Sequence, residues 1–337
     1  MNVVATPVLI YFLVVNTSLL VLMCLAGWEF VRQSRRSGYR ASEQTAASQL
    51  GQGVSVVVPS HDEEVVIVAS VKALLALRFG RHEVIVVDDA SGDPEIERLA
   101  AVAGIRLVRQ PENFGYLHTT NAAAKLATGE FLLLLNNDLE MPEPGWWRAL
   151  LLHAIRPGLA GGYNPGAVGI VGARLLYRDG TLQHGGMVLG PDGRATHVLR
   201  GAPRDAWGYE GQLAVPHDVA AVTGACMAIP REVWNRVGGM NEDLPVAWND
   251  VDLCQRVRAA GLRVIWTPDA VLTHLEGETR GQDADDPDRQ ARFLADAARY
   301  RAAWGAAADD DPFLNPNLSA VGGALVLAPP RRPRPWT

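Results

Sequence analysis

Asn136, Asn137 and Asp138 stand directly after Leu132-Leu133-Leu134-Leu135, two amides and one carboxylate at the end of an apolar run. A lone carboxylate flanked by neutral amides suits a hard divalent cation that is shared with a phosphate-bearing substrate. A turn with a solvated Asp is the plainer alternative. Two earlier segments end in the same manner. Pro59-Ser60-His61-Asp62-Glu63 follows the valine run at 54–58, and Asp88-Asp89-Ala90-Ser91-Gly92-Asp93 follows Glu83-Val84-Ile85-Val86-Val87. Such groups can accept hydrogen bonds from a ribose or a base N–H, although each alone could also cap a helix or close a turn. The chain holds neither G-x-G-x-x-G nor a Walker A sequence, which removes the main support for dinucleotide and P-loop readings.

Two further candidates lie beyond the midpoint. In Trp248-Asn249-Asp250-Val251-Asp252, a helix opened by Asp250 would place that carboxylate at the positive end of the helix dipole. A positioned carboxylate facing a cleft can act as a general base. His274 follows a Pro268 turn, in a segment able to return to a sheet edge.

An alternation of strands and helices must position these residues. Apolar runs at 54–58, 83–87, 105–108 and 131–135 suit strands buried on both faces. Helices are expected from Asp62 to Leu77, Pro94 to Val102 and Tyr116 to Ala127. That rhythm implies right-handed crossovers and a parallel sheet, whose ligands bind beyond the carboxyl ends of the strands. Later the pattern is less regular. A Gly/Pro-rich loop is expected over Gly158 to Gly169, with short strands near Ile170, Met187 to Leu189, Val219 to Thr223, Cys226 to Ile229 and Arg263 to Trp266. A helix from Asp250 to Ala260 should end at Gly261, and an amphipathic helix should run from Asp288 to Trp304.

Asn2 to Trp28 carries no charge, and the apolar run Val8 to Ala26 is long enough to span a bilayer. Arg32, Arg35, Arg36 and Arg40 follow it, which by the positive-inside rule puts that end in the cytoplasm. A cleaved signal peptide would want basic residues before the run; a buried core helix is the other alternative. The expectation is a single-pass anchor in the inner membrane over residues 1–36, a polar linker over 37–53, one cytoplasmic domain over 54–319, and a disordered tail over 320–337. A net charge of −6 argues against a nucleic-acid partner. Cys24, Cys226 and Cys254 are too few and scattered for a disulfide framework or a zinc site.

From Val54 to Ser319 the chain resembles the family 2 glycosyltransferases of the GT-A fold, most of all bacterial rhamnosyltransferase-like enzymes of cell-surface polysaccharide synthesis. The segments that carry the resemblance are VSVVVPSHDE, EVIVVDDASGD, ENFGYLHTTNAAAKLATGEFLLLLNND, VGARLLYRDGTLQHGG, VTGACMAIPREVWNRVGGMNEDL, NDVDLCQRVRAAGLRVIWTPDAVLTH and DPFLNPNLS. The resemblance implies an α/β GT-A domain with a mainly parallel central sheet and flanking helices. It also implies inverting transfer of a sugar from a nucleotide-diphosphate donor, aided by Mg2+ or Mn2+. By the same resemblance, Pro59, His61, Glu63, Asp89, Asn113, Gly115, Asn121 and Asn137 line the donor side. Asp138 is the metal ligand, with His274 completing the site. Asp250 is the general base, and Gly224, Trp248 and Asn249 lie beside the acceptor.

Two positions depart from the family pattern: Asn136 replaces the first acid of Asp-x-Asp, and Asn249 replaces the glutamate before Asp250. These amides support the alternative of a membrane-tethered nucleotide-sugar-binding scaffold. A nucleotidyltransferase would want a Gly-rich basic loop where the acidic His61-Asp62-Glu63-Glu64 stands. A processive synthase would want later spanning helices, and Ala320 to Leu327 is too short to span. With an anchor present, a polyprenyl-linked glycan is the expected acceptor.

Overall fold

The computed structural model describes residues 5–36, 53–61, 67–76, 82–92, 98, 104–142, 145–154, 167–190, 194–275, 287–321 and 324–327. The chain divides into two units, residues 1–51 and 52–337. The first holds helix α1 (Ala5–Arg36), whose stretch from Ala5 to Trp28 is 24 residues long and apolar enough to cross a membrane. At 1.5 Å per residue that stretch is about 36 Å long. The hydroxyl of Ser18, in the polar interruption of the run, donates to the Val14 carbonyl at 2.8 Å, so its hydrogen is satisfied within the helix.

The second unit is built on one mixed sheet. Its first elements are β1 (Val54–Ser60), α2 (Ile67–Leu75), β2 (His82–Asp88), β3 (Ile105–Arg109), α3 (Tyr116–Leu126) and β4 (Phe131–Leu135). In space β3, β2, β1 and β4 lie in that order and all run parallel, so their carboxyl ends share one edge. Every residue of β4 is buried. Each buried leucine contributes roughly 2 kcal/mol of burial free energy, and the amides begin where the strand leaves the core.

The second half adds β5 (Leu139–Glu140), α4 (Trp146–Ala154), β6 (Val168–Leu176), β7 (Leu182–His184), β8 (Met187–Gly190), β9 (Arg194–His197), β10 (His217–Asp218) and β11 (Cys226–Pro230). It ends with α5 (Arg231–Val237), α6 (Asn249–Ala259), β12 (Arg263–His274), α7 (Pro287–Trp304), β13 (Leu318–Val321) and β14 (Ala324–Leu327). Strand β11 lies antiparallel between β4 and β6, and β12 runs parallel to β6. The start of β11 and the end of β12 therefore both arrive at the edge where β1, β2 and β4 end.

Several expectations shift. Strand β12 does not stop at Trp266 but continues to His274 through an irregularity at Pro268, the one kind of place in a strand that tolerates proline. Gly169 belongs to β6 rather than to a loop, between Val168 and Ile170, which pair with Arg263 and Val264 of β12, and a side chain there would strike Val257 at 2.5 Å; residues 158–166 lie outside the described residues. Val219 to Thr223 is no strand: Ala221 makes a single bridge to Met187, and the small residues there pack into the core. Leu318–Val321 and Ala324–Leu327 pair antiparallel across the expected boundary at 319/320, so the tail reading is corrected for 320–321 and 324–327. The helix expected over 94–102 lies outside the described residues except for helical Arg98, and residues 328–337 also lie outside them.

At Gly172 in β6, an added Cβ would fall 2.4 Å from the Val222 side chain. Gly172→Ala should therefore lower unfolding free energy by about 1–3 kcal/mol through overpacking, measured as a fall in urea midpoint at unchanged slope.

Candidate active site

The β4 end is tied down from three sides. The Asn136 N–H donates to the Ala225 carbonyl at 2.9 Å, just before β11. The Ser70 hydroxyl, on α2, donates to the Asn137 carbonyl at 2.5 Å. The Leu275 N–H, just after β12, donates to the Asp138 carbonyl at 3.0 Å, and His274 pairs with Leu139. Backbone pairing thus brings His274 Nε2 within 3.1 Å of Asp138 Oδ1. That oxygen is buried yet makes no aligned hydrogen bond, and neither does the buried Oδ1 of Asn136.

The other nitrogen of His274 is held as well. Nδ1 lies 2.8 Å from Gln183 Oε1, an acceptor, so Nδ1 carries a proton and Nε2 is the nitrogen turned toward Asp138. A carboxylate oxygen and an imidazole nitrogen 3.1 Å apart at a sheet edge form a donor pair that could hold a divalent cation. Among the described residues no three His, Cys, Asp or Glu side chains converge to hold a metal alone. A cation bound here would take Asp138 and His274 from the protein, leaving its other positions to diphosphate oxygens and water.

Across the edge lies Asp250, in the first turn of α6. The Gly224 N–H donates to its Oδ2 at 3.1 Å and the Val251 N–H to its Oδ1 at 2.8 Å. Burial raises its pKa, and those two N–H groups with the Thr223 hydroxyl only partly offset the rise. A carboxyl held in this way, with its pKa raised, is suited to acting as a general base. Tyr116, on α3, lies near both carboxylates: its phenol is pushed well up by burial first, then by Asp250 and more weakly by Asp138. The Tyr116 hydroxyl donates to the Gly224 carbonyl at 3.3 Å.

Trp248 caps α6 in the left-handed conformation, φ 59°, with its ring against Phe293 and Tyr300 of α7. Buried Asp296 of α7 holds the preceding turn, accepting from the N–H groups of Val246 and Ala247 at 2.7 and 3.0 Å. The Asn249 amide donates to the Leu244 carbonyl at 3.4 Å.

On the nucleoside side the structure gathers most of the expected residues but engages them with one another. Asp89 Oδ1 and Oδ2 accept from the N–H groups of Phe114 and Gly115 at 2.9 and 2.7 Å. That clamps the residues before α3, where Gly115 takes φ 85°. His61 Nδ1 donates to the Asp89 carbonyl at 2.8 Å, and Asn113 Nδ2 donates to His61 Nε2 at 2.9 Å. Pro59 lies opposite Val87 at the ends of β1 and β2. Asn121 gives its amide hydrogens to the Met240 carbonyl and to Glu242, and accepts from the Met240 N–H. It therefore braces α3 against the turn after α5. Glu63 lies outside the described residues.

Gln183, Thr223, Ser70 and Asp296 carry roles that residue-by-residue reading of the sequence did not assign. Only Gln183 and Thr223 lie in segments quoted for the resemblance, and a polar residue in an otherwise apolar segment was the available signal. Beside Gln183, His184 and His197 form a buried pair. Burial above all holds both in the neutral form, with His197 lowered to about 4.

The mixed, mainly parallel sheet with flanking helices is the architecture of the GT-A fold. Residues 55–237, more than half of the chain, match the model of the family described as glycosyl transferase family 2. The chain belongs to that family. The O-antigen biosynthesis protein RfbC of Myxococcus xanthus is 36% identical over 277 residues, covering 79% of this chain and 20% of that protein. The N-acetylglucosaminyl-diphospho-decaprenol L-rhamnosyltransferase of Mycobacterium tuberculosis is 28% identical over 202 residues, 53% of this chain and 61% of that one. A mannosyltransferase from Pyrobaculum calidifontis, solved with GDP-Man and Mn2+, has 24% identity and a TM-score of 0.54 over 75% of this chain and 64% of that chain. The chain thus spans less than two thirds of each of these proteins, and the last shares its fold.

Asp250 must be ionised to accept a proton, and its pKa in the fold is raised. The acid limb of kcat/KM should therefore lie above the ordinary aspartate value of about 3.9. A raised folded pKa also means that the stability this carboxyl contributes is present below about 3.9 and is lost as pH rises through the folded value. Asp250→Asn should accordingly melt no lower than wild type at pH 7, by differential scanning fluorimetry, while losing activity.

Proposed function

We propose that this chain transfers a sugar, with inversion, from a nucleotide-diphosphate sugar to a hydroxyl of a polyprenyl-diphosphate-linked glycan. The reaction serves cell-surface polysaccharide synthesis at the cytoplasmic face of the inner membrane, with residues 1–36 as a single-pass anchor. The observation that carries this reading is the placement of Asp138 and Asp250 about the single phenol of Tyr116, one with an unpaired buried oxygen and the other with a raised pKa. The names of the Myxococcus and Mycobacterium relatives agree with a polysaccharide product and a prenyl-linked acceptor.

Asp250 takes the proton of the acceptor hydroxyl as that oxygen attacks the anomeric carbon. The bond from that carbon to the diphosphate oxygen breaks on the opposite face, which inverts the centre. Mg2+ or Mn2+, when bound by Asp138 and His274, supplies charge neutralisation for the departing diphosphate. Asp89, His61 and Asn113 order the loop before α3 against which the nucleoside rests, with Pro59, Gly115, Asn121 and Asn137 around it. Gly224, Trp248 and Asn249 flank the acceptor.

Purified full-length protein, offered a panel of nucleotide sugars and a short-chain polyprenyl-diphosphate glycan, should transfer one sugar in a reaction that EDTA stops and Mn2+ restores. Asp250→Asn should lower kcat by about 10²–10⁴-fold with donor affinity retained. Asp138→Asn should instead raise the Mn2+ concentration needed for half-maximal rate. Near-normal turnover in Asp250→Asn would refute the base assignment, and undiminished turnover in EDTA would refute the metal.

Deleting residues 1–36 should abolish transfer to long-chain lipid-linked acceptor in vesicles while sparing a soluble analogue. Equal loss on both acceptors would refute the anchor's role.

A further inference from the structure

The histidine pair on β7 and β9 has no task in the transfer reaction, yet its hydrogen positions follow from one fixed donor. The backbone N–H of Thr223 reaches His184 Nε2 at 3.4 Å, so that nitrogen presents a lone pair. Neutral His184 then carries its proton on Nδ1 and donates it to His197 Nδ1, 3.0 Å away. His197 is left with its proton on Nε2 and donates to the backbone carbonyl of Gln183. Gln183, only 3% exposed, turns its side chain the other way, where Oε1 accepts from His274 Nδ1 at 2.8 Å. His274 Nε2 is thereby the nitrogen left facing Asp138 Oδ1, 3.1 Å away.

We propose that His184 and His197 are positioning residues for the divalent cation: acting through Gln183, they hold His274 as the Nδ1–H tautomer with Nε2 directed at the cation beside Asp138. The geometry favours this over simple space filling. The rings meet edge to face, with centroids 4.9 Å apart and planes at 77°, a packing that two phenylalanines would satisfy equally well. Phenylalanines would also place no nitrogen in the core, where an unpaired polar group is costly. The histidines instead form a one-directional series of hydrogen bonds that starts at a backbone amide and ends at the residue orienting His274. Metal-bound histidines are commonly oriented by such a bond on their second nitrogen. The same series starts at Thr223, whose hydroxyl bonds Asp250, so the acceptor-side turn and the metal corner share one brace. The proposal rests on the reading of Asp138 and His274 as metal ligands and on nothing about the sugar or the acceptor.

Long-range 1H–15N correlation on full-length, metal-free protein labelled at histidine reads each tautomer directly. The expected result is a proton on Nδ1 of His184 and His274 and on Nε2 of His197. A wild-type His274 with no proton on Nδ1 overturns the proposal without any variant. Mn2+ binding, followed by electron paramagnetic resonance with no donor present, should weaken about tenfold or more in His197→Phe, with mixed His274 tautomers. It should recover most of the way in His197→Gln, whose amide can accept from His184 and donate to Gln183. Wild-type Mn2+ affinity in His197→Phe overturns the proposal. Should that variant not fold, Gln183→Leu replaces it, with the same loss expected and the same refutation if affinity is unchanged. Mn2+ binding that behaves as stated in a protein that transfers no sugar would refute the transferase reading and leave this one standing.

Discussion

The site depends on one antiparallel pairing, that of β11 with β4, in which Cys226 lies opposite Leu135. A purely parallel sheet brings only strand ends to the ligand edge. By running the other way, β11 brings its beginning there, and with it Thr223, Gly224 and Ala225. The Ala225 carbonyl then accepts from the Asn136 N–H, so the residues that hold Asp250 and those that lead to Asp138 are one hydrogen bond apart. The interior near Gly172 and Val222 is packed too tightly for an added methyl group, which keeps this register from slipping.

That arrangement explains how so few charges serve the site. Carboxylates crowded at a buried edge would repel one another and raise each other's pKa. The chain instead surrounds Asp138 and Asp250 with backbone N–H groups, a threonine hydroxyl and an imidazole. The orientations of these groups are fixed by the fold, so they need little reorganisation when charge changes at the site.

Much of this was legible in the residues. The four leucines before Asn136 could be placed as a fully buried strand because a short apolar run followed by amides has few other homes, and the structure puts β4 at Phe131–Leu135. Gly261 ended α6 where expected, with φ +79°. Beyond the parallel half the signal fades for physical reasons. Strand β12 runs through a proline that local reading takes as a stop, and the pairing with β6 that carries it onward is non-local. Gln183 and His184 sit on a three-residue strand whose chemistry depends on partners 91 and 13 residues away. No local pattern encodes such contacts.

The same contacts change the meaning of the two amides that depart from the family pattern. Asn249 donates its amide hydrogen to the Leu244 carbonyl, a bond that an ionised glutamate could not make. It therefore helps hold the turn before α6 rather than simply lacking a charge, and Asp250 keeps its own backbone donors without it. Asn136 keeps a buried oxygen without a hydrogen-bond partner two residues before Asp138, so the amide retains an acceptor there while withholding a second negative charge. With His274 held by Gln183 on its other nitrogen, Asp138 keeps one fixed neighbour at 3.1 Å, and the amide at position 136 spares it the repulsion of a second carboxylate.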